Sequence, residues 1–383
     1  MSRLDELIAE LCPDGVEYKK LKDVSEMKRG TSLTKSKSVA GNIPVVSGGK
    51  EPAFYCNTFN RNGETITVAG SGAGAGYVQY WNIPIFANDC FTVKGTNLAE
   101  TKYLYYLLAN IQDKISDTKK GGGVPHVHIS DVDKFSVPVP PLEVQREIVR
   151  ILDNFTELTA ELTAELTAEL TARKQQYAYY ASSLFSNTEA DWVPMSELAS
   201  FVYGYTDKAK DVGDTRFIRI TDITDQGTLN PENAKFIDMT EEAKKSRLEK
   251  GDIVMARTGA TYGKTLYFDS DEPSVYASFL IRIIPNKTLN SRYYWHFTKT
   301  PLYWEQANKL VSTGGQPQFN TPALKQVKIP LPSLDKQKYI VSVLDRLDAL
   351  CNDISSGLPA EIEARQKQYE YYRDKLLTFK QLA

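Results

Sequence analysis

The sequence predicts an α+β protein. Two mixed α/β globules are separated by two long antiparallel helices that form a coiled coil, and the whole is a pseudo-twofold tandem repeat. Three observations predict this. Residues 137–155 (VPVPPLEVQREIVRILDNF) match residues 329–347 (IPLPSLDKQKYIVSVLDRL) at eight of 19 positions, at an offset of 192. Residues 172–184 (ARKQQYAYYASSL) match 364–376 (ARQKQYEYYRDKL) at seven of 13, at the same offset. Usual residue frequencies would give about two matches in all, so the chain is a duplication. Each repeat block also opens a helical pattern, and the stretch ahead of each is punctuated by Gly and Pro with short strand signals.

In order, residues 1–140 form the first globule, 141–186 a central helical spacer, 187–332 the second globule and 333–383 a C-terminal helical spacer. The first globule has a strand signal at Ile66–Ala69 and a helix signal at Leu98–Ile115. Pro140 and Pro141 stop the strand before them, and the first long helix begins at about Leu142. Leu142, Ile148, Ile151, Leu152, Phe155 and Leu158 follow helical spacing. The tract ELTAELTAELTAELTA (157–172) continues it, because Ala, Leu and Glu are strong helix formers. Leu158, Leu162, Leu166 and Leu170 recur every fourth residue. Each step overshoots a turn by about 40°, so they stay within one broad apolar stripe. From Leu142 to Leu184 the helix is about 64 Å long and needs a partner to cover that stripe.

The second globule has strand signals at Arg216–Ile220, Ile253–Ala256 and Phe279–Ile284 and a helix signal at Ser291–Leu310. Weaker matches link it to the first. Residues 62–77 correspond to 250–264, Cys90-Phe91 to Ser278-Phe279, and Lys102-Tyr103 to Arg292-Tyr293. The last helix runs from Leu334 to about Leu377, with a break near Gly357 and Pro359. Residues 1–11 are expected to pack against it, as residues 185–195 do after the first helix.

Charge narrows the function. The 46 basic and 48 acidic side chains give a net charge of -2, which excludes a uniformly basic nucleic-acid binder but not a local basic face. Residues 141–190 carry four basic and eight acidic side chains, so each globule is left at about +1. Seven basic residues cluster between Lys19 and Lys37, interleaved with Ser and Thr that suit phosphate oxygens. The second globule has Lys208, Lys210, Arg216, Arg219, Arg257 and Lys264, with Tyr203, Tyr205 and Tyr262 nearby. Solvated surface is the plain alternative for such runs. No apolar run reaches the roughly 18 residues of a membrane span, and the acidic start lacks a signal-peptide pattern. A cytoplasmic protein is expected.

Enzyme motifs are weak. GATYGKT (259–265) has three residues between its glycines where a P-loop needs four. Gly70, Gly72, Gly74 and Gly76 alternate and miss the dinucleotide fingerprint. No Asn-Pro-Pro or Asp-Pro-Pro methyltransferase motif occurs. His126, His128 and His296 have no acid or cysteine pattern to complete a metal site, and four scattered cysteines form no CxxC pair. No catalytic residue and no metal is expected.

Taken together, ELCPDGVEYKKLKDV at the start, the two repeat blocks, ARKQQY and ARQKQY, and the globule-helix-globule-helix order resemble the specificity (DNA-recognition) subunit of type I restriction-modification systems. The TAEL units at 159–162, 163–166 and 167–170 resemble the type IC branch. The resemblance covers nearly the whole chain. It implies two target recognition domains, each reading half of a bipartite, asymmetric site in double-stranded DNA. It also implies helices that dock two methyltransferase subunits and up to two endonuclease/translocase subunits. It further implies that the chain binds no cofactor directly and that S-adenosylmethionine, ATP and Mg are used by the partners. An orphan or phase-variable subunit acting with a methyltransferase only is the alternative, with a methyltransferase or NTPase and a purely structural scaffold as rivals from other classes.

The candidate DNA-binding residues are Lys28, Arg29, Thr31, Ser32, Lys35, Ser71, Lys119, Lys120 and His126 in the first globule. In the second they are Tyr203, Tyr205, Lys208, Arg219, Arg257, Thr258, Tyr262, Lys264, Gln316 and Gln318. Arg and Lys suit guanine, and Gln suits adenine. The expected docking and spacer residues are Leu142, Ile148, Leu152, Leu158, Leu162, Leu166, Leu170, Leu334, Ile340 and Leu344.

Overall fold

The computed structural model describes residues 2–121, 123–312, 314–352 and 357–382. The chain divides into two compact units. Unit 1 is Met1–Ala164 with Glu363–Ala383, and unit 2 is Glu165–Ile362. Each unit therefore holds one globule, the first half of the helix that follows it, and the second half of the other long helical segment.

Unit 1 contains α1 (Arg3–Leu11), β1 (Glu17–Lys20), α2 (Leu21–Val24), β2 (Ser25–Arg29), β3 (Ile43–Val46), β4 (Phe54–Cys56), β5 (Thr65–Ala69), β6 (Val78–Trp81), β7 (Phe86–Ala87), β8 (Cys90–Gly95), α3 (Thr101–Asn110), α4 (Gln112–Ser116), α5 (Ile129–Val132) and β9 (Ser136–Val139). Helix α6 (Leu142–Ser186) leads out of it. Unit 2 contains β10 (Trp192–Pro194), α7 (Met195–Leu198), β11 (Ala199–Tyr203), β12 (Thr215–Ile218), β13 (Phe236–Ile237), β14 (Ile253–Ala256), β15 (Thr265–Tyr267), β16 (Ser274–Tyr276), β17 (Leu280–Pro285), α8 (Ser291–Thr298), α9 (Pro301–Leu310), α10 (Thr321–Leu324), β18 (Lys328–Pro330) and α11 (Leu334–Asn352). Helix α12 (Leu358–Leu377) follows.

The two units share one topology. Unit 1 has an antiparallel sheet β2-β8-β5-β6, a mixed sheet β4-β3-β7 and a ribbon β1-β9; unit 2 has β11-β17-β14-β15, β13-β12-β16 and β10-β18 in the same orders. The strands β5 and β14 are buried along their whole length, which their unbroken apolar and Thr runs require. The strand signal at Arg216–Ile220 ends two residues early, because Ile220 opens a short 3-10 turn that Asp222 caps. The helix signal at Ser291–Leu310 is two helices, since Pro301 cannot continue α8 and instead starts α9 behind the Thr300 cap.

Each globule is clamped to its own helix in the same way. Gln145 is fully buried; its Oε1 accepts from Glu100 N–H (2.9 Å) and its Nε2 donates to Leu98 O and Pro140 O. Gln337, 192 residues on, accepts from Asn290 N–H (2.8 Å) and donates to Thr288 O and Pro332 O. Tyr103 O–H donates to Pro138 O, and Tyr293 O–H to Pro330 O. Lys102 pairs with Asp153 (2.8 Å), and Arg292 with Asp345 (2.7 Å). The Lys102-Tyr103 and Arg292-Tyr293 match therefore holds in space.

Within unit 1, α6 and α12 run antiparallel. Phe155 stacks on Tyr372 and Thr156 meets Tyr369 O–H, while Leu162, further along α6, shares a groove with Arg365. Leu4, Leu7 and Ile8 of α1 pack with Leu376, Leu377 and Phe379, and Val16 exchanges backbone bonds with Lys380 and Leu382. Within unit 2, Ala181 and Phe185 of α6 join Ile340 and Leu344 of α11 in the core. Lys299 sits 2.9 Å from Asp348 and over the Trp295 ring; burial holds its ammonium down at about 8. Burial also lowers His296, whose Nδ1 meets Tyr177 O–H (2.9 Å).

Ile148 and Leu152 are buried like Ile340 and Leu344, and Leu162, Leu166 and Leu170 are half-buried. Leu142 is half-buried too, but Leu158 and Leu334 stay exposed. Where the first segment is one continuous helix, the second is described as α11 to Asn352 and α12 from Leu358, with Gly357 of the expected break outside both helices and Pro359 in the first turn of α12; residues 353–356 lie outside the described residues.

Replacing Gln337 with Leu strips three backbone groups of their partner. Urea unfolding is expected to show a loss of about 3 kcal/mol, a cost set by stranded buried polar groups.

Candidate nucleic-acid interface

In unit 1 the chain leaves β5 through a tight turn. Gly76 N–H donates to Ala69 O (2.8 Å) and Ala75 N–H to Gly72 O (3.0 Å). In unit 2 Gly263 N–H donates to Ala256 O (2.8 Å) and Tyr262 N–H to Gly259 O (3.2 Å). Gly72, Gly76, Gly259 and Gly263 have φ of 82°, 83°, 73° and 78°, the left-handed region that glycine enters without strain. The turn that resembled a phosphate loop is thus a strand exit present in both units.

A second loop is laid across the first. Gly72 N–H donates to Pro125 O and Val127 N–H to Gly70 O; Gly259 N–H donates to Pro317 O and Phe319 N–H to Arg257 O. His126 then bridges backbone to Ser71 and Lys120, and Gln318 bridges to Thr258 and Ser312. Five residues scattered through the sequence are brought together here: Ser71, Lys120 and His126 in unit 1, Thr258 and Gln318 in unit 2. Gly122 of the 119–123 loop lies outside the described residues.

The end of a third strand completes each frame. Past Arg29, Gly30 N–H donates to Cys90 O (2.8 Å) and Thr31 N–H to Ala87 O (2.9 Å). Past Tyr203, Gly204 N–H donates to Leu280 O (3.2 Å) and Tyr205 N–H to Tyr276 O (2.9 Å). A Cβ on Gly30 would lie 2.1 Å from Asn88 O, and one on Gly204 2.3 Å from Ala277 O, so neither position admits another residue without displacement.

Strand register corrects one sequence match. Ala69 pairs with Cys90 and Ala256 with Leu280, so Cys90-Phe91 is equivalent to Leu280-Ile281 and not to Ser278-Phe279. The shared Phe misaligned the pair by two residues, because the loops before these strands differ in length. Asp89 and Phe279 thereby occupy the same place.

Side chains on the two frames differ. In unit 1, Arg29, Thr31, Ser32, Lys35, Lys119 and His126 are exposed, and Lys28 is exposed but paired with Glu26 (2.6 Å). Lys120 pairs with the buried Asp131, which holds that carboxyl below its usual range. Ser71 O–H donates to the Asp89 carboxylate. In unit 2, the Arg257 guanidinium lies 5.3 Å from the Tyr203 ring and 5.7 Å from Phe279, and its Nε donates to Ser278 O (3.1 Å). Gln316 and Gln318 are exposed beside it, whereas Thr258 is buried.

Four candidates stand differently. Tyr262 O–H donates to Asn308, and its ring packs on Trp304 and Phe319. Arg219 is bound by Asp222 (2.8 Å), and Lys264 pairs with Asp225. Lys208 is exposed on the segment after Tyr205. Sequence reading gave no site role to Asp89 or the two buried glutamines, and took Phe279 only as a strand residue matched to Phe91. Only Gln145 and Gln337 left a signal, as identical residues of the repeat.

Among the described residues no group of three or more His, Cys, Asp and Glu side chains could hold a metal ion. The four cysteines are free and buried, and burial pushes the Cys90 thiol up to about 12.

The chain matches the family model of the type I restriction modification DNA specificity domain twice, at residues 13–172 and 191–364. It is 33% identical to a putative type I restriction enzyme specificity subunit of Haemophilus influenzae, over 95% of this chain and 96% of that one. It is 33% identical to the EcoR124I/EcoR124II specificity subunit of Escherichia coli, over 73% and 70% of the two chains. In fold it is similar to a chain from a structural study of complex assembly and conformational transition of the type I R-M system, with a TM-score of 0.66 at 17% identity over 95% of this chain and 98% of that one.

Substituting Gly30 with Ala overpacks the first frame against Asn88 O. Calorimetry on the full chain is expected to show unit 1 destabilised by about 1–3 kcal/mol with unit 2 unchanged.

Proposed function

We propose a function from one premise: the chain belongs to the type I restriction-modification DNA specificity family. As a specificity subunit it is the non-catalytic, DNA-recognising component of such a system. Each globule reads one half of a bipartite, asymmetric site in double-stranded DNA. The helices α6, α11 and α12 dock two methyltransferase subunits, and up to two endonuclease/translocase subunits complete the complex. S-adenosylmethionine, ATP and Mg are used by those partners, and the assembly acts in the cytoplasm. No helix of the described residues is long and apolar enough to cross a membrane.

One observation carries this reading. The same hydrogen-bonded frame is built twice, and different side chains are mounted on it. A protein that reads two unlike half-sites needs that arrangement: main-chain and basic groups position the duplex, and side chains specify the bases. Arg29, Thr31, Ser32 and Lys35 supply exposed phosphate-seeking groups in unit 1, and Arg257, Gln316 and Gln318 supply base-reading groups in unit 2.

The TAEL tract, as in the type IC branch, works as a ruler. The boundary between the units falls within it, at Ala164 and Glu165. One added TAEL unit lengthens an α-helix by about 6 Å, against about 3.4 Å per base pair.

Methylation-aware sequencing of DNA from a host producing the chain with its methyltransferase is expected to show a two-part motif with a fixed spacer. Inserting one TAEL unit is expected to lengthen that spacer by about one to two base pairs with both half-sites intact; an altered half-site with an unchanged spacer contradicts the ruler. Replacing Arg29 with Ala is expected to weaken binding at the first half-site, measured by titrating DNA with either half scrambled.

A further inference from the structure

The turn between β7 and β8 carries a carboxylate where a DNA-binding face should avoid one. Asp89 is exposed. Its backbone O accepts from Gly70 N–H (3.1 Å), which ties the turn to the exit of β5. On either side, Thr31 N–H donates to Ala87 O and Gly30 N–H to Cys90 O, so the basic segment from Lys28 to Lys35 starts along this same turn. Ser71 bridges to His126 on the loop that carries Lys119 and Lys120. The turn therefore shares its backbone frame with the segments that carry Arg29, Lys35 and Lys119, while Lys28 and Lys120 are paired with Glu26 and Asp131. Yet among the described residues no cation pairs with Asp89; its contact is the Ser71 hydroxyl.

A carboxylate so placed is repelled by phosphate and cannot serve to position a duplex. It is acceptor-only and, with one oxygen engaged by Ser71, keeps acceptor capacity to spare. In the major groove the donors it can meet are the N4 amine of cytosine and the N6 amine of adenine. Unit 2 shows the same place with opposite chemistry. Phe279, 54% exposed, stands at the Asp89 position, and Arg257 stands where unit 1 has Gly70. An Arg beside an exposed apolar ring suits guanine and a thymine methyl.

We propose that Asp89 is a base-reading residue of the first globule, accepting a hydrogen bond from the exocyclic amine of a cytosine or adenine in the major groove while Ser71 orients its carboxylate. This rests on the reading above that each globule recognises one half-site. Glycine at position 70 leaves the carboxylate open where Arg257 fills the equivalent place in unit 2.

The test uses the full chain co-produced with its methyltransferase and compares methylated motifs by sequencing. Asp89→Ala is expected to relax one position of the first half-site by about tenfold or more, with the second half-site unchanged. The base preferred there by the unmodified protein distinguishes the cytosine amine from the adenine amine. Asp89→Asn keeps the shape and the Ser71 contact and is expected to shift a cytosine preference at that position toward adenine and to keep an adenine preference as it is. Ser71→Ala is expected to relax the same position to a smaller extent. An intact second half-site shows in each case that the variant folded and assembled. A two-part motif that Asp89→Ala leaves unchanged base for base overturns the assignment of Asp89 alone, as does relaxation spread evenly over both halves. An unmodified complex that leaves no two-part motif overturns the half-site reading on which the assignment rests.

Discussion

An amphipathic helix of 45 residues carries more apolar stripe than one small globule can cover, and the architecture follows from how that stripe is hidden. The first part of α6 lies on the globule that precedes it, through Ile148 and Leu152. Its last turns lie in the core of unit 2, through Ala181 and Phe185. The second helical segment returns the arrangement: α11 completes unit 2 through Ile340 and Leu344, and Leu377 at the end of α12 is buried in unit 1. Neither globule closes its core without a stretch of helix that belongs, in sequence, to the other half of the repeat.

That dependence explains why the repeat blocks keep their residues while the globules drift. Gln145 and Gln337 each satisfy three backbone groups at the seam between globule and helix. A substitution there strands buried donors and acceptors, so the seam tolerates little change. The side chains mounted on the frame, most of them exposed, are released from that constraint. Ser71, Asp89 and His126 can differ from Thr258, Phe279 and Gln318 because the backbone bonds beneath them do not depend on side-chain identity.

The start of α6 at Leu142 and the strand Ile253–Ala256 were legible because prolines, β-branched runs and strict periodicity are local signals. The duplicated layout was legible because the offset of 192 is constant. The alignment of Cys90-Phe91 with Ser278-Phe279 failed because residue likeness says nothing of strand register across loops of unequal length. The exposure of Leu158 was missed because a stripe shows which residues share a helix face, and only the partner shows where cover ends. Candidate residues chosen for charge divided for a similar reason. Among the described residues, Arg29 and Arg257 stand free of carboxylates on the frames, while Lys120, also on the frame, and Lys264 found carboxylates distant in sequence, and Arg219 is held by Asp222 three residues on.

The meeting of Val16 with Lys380 and Leu382 has a consequence for how such chains change. Contacts join the beginning of the first half to the end of the second just as the covalent chain joins the first half to the second. A chain joined at this contact and opened elsewhere keeps the backbone bonds of Val16 with Lys380 and Leu382. Two separate copies of a half-length chain could rebuild the same contacts as a homodimer. A globule could likewise be exchanged between chains by recombination in the repeat blocks, with the seam residues carried along intact.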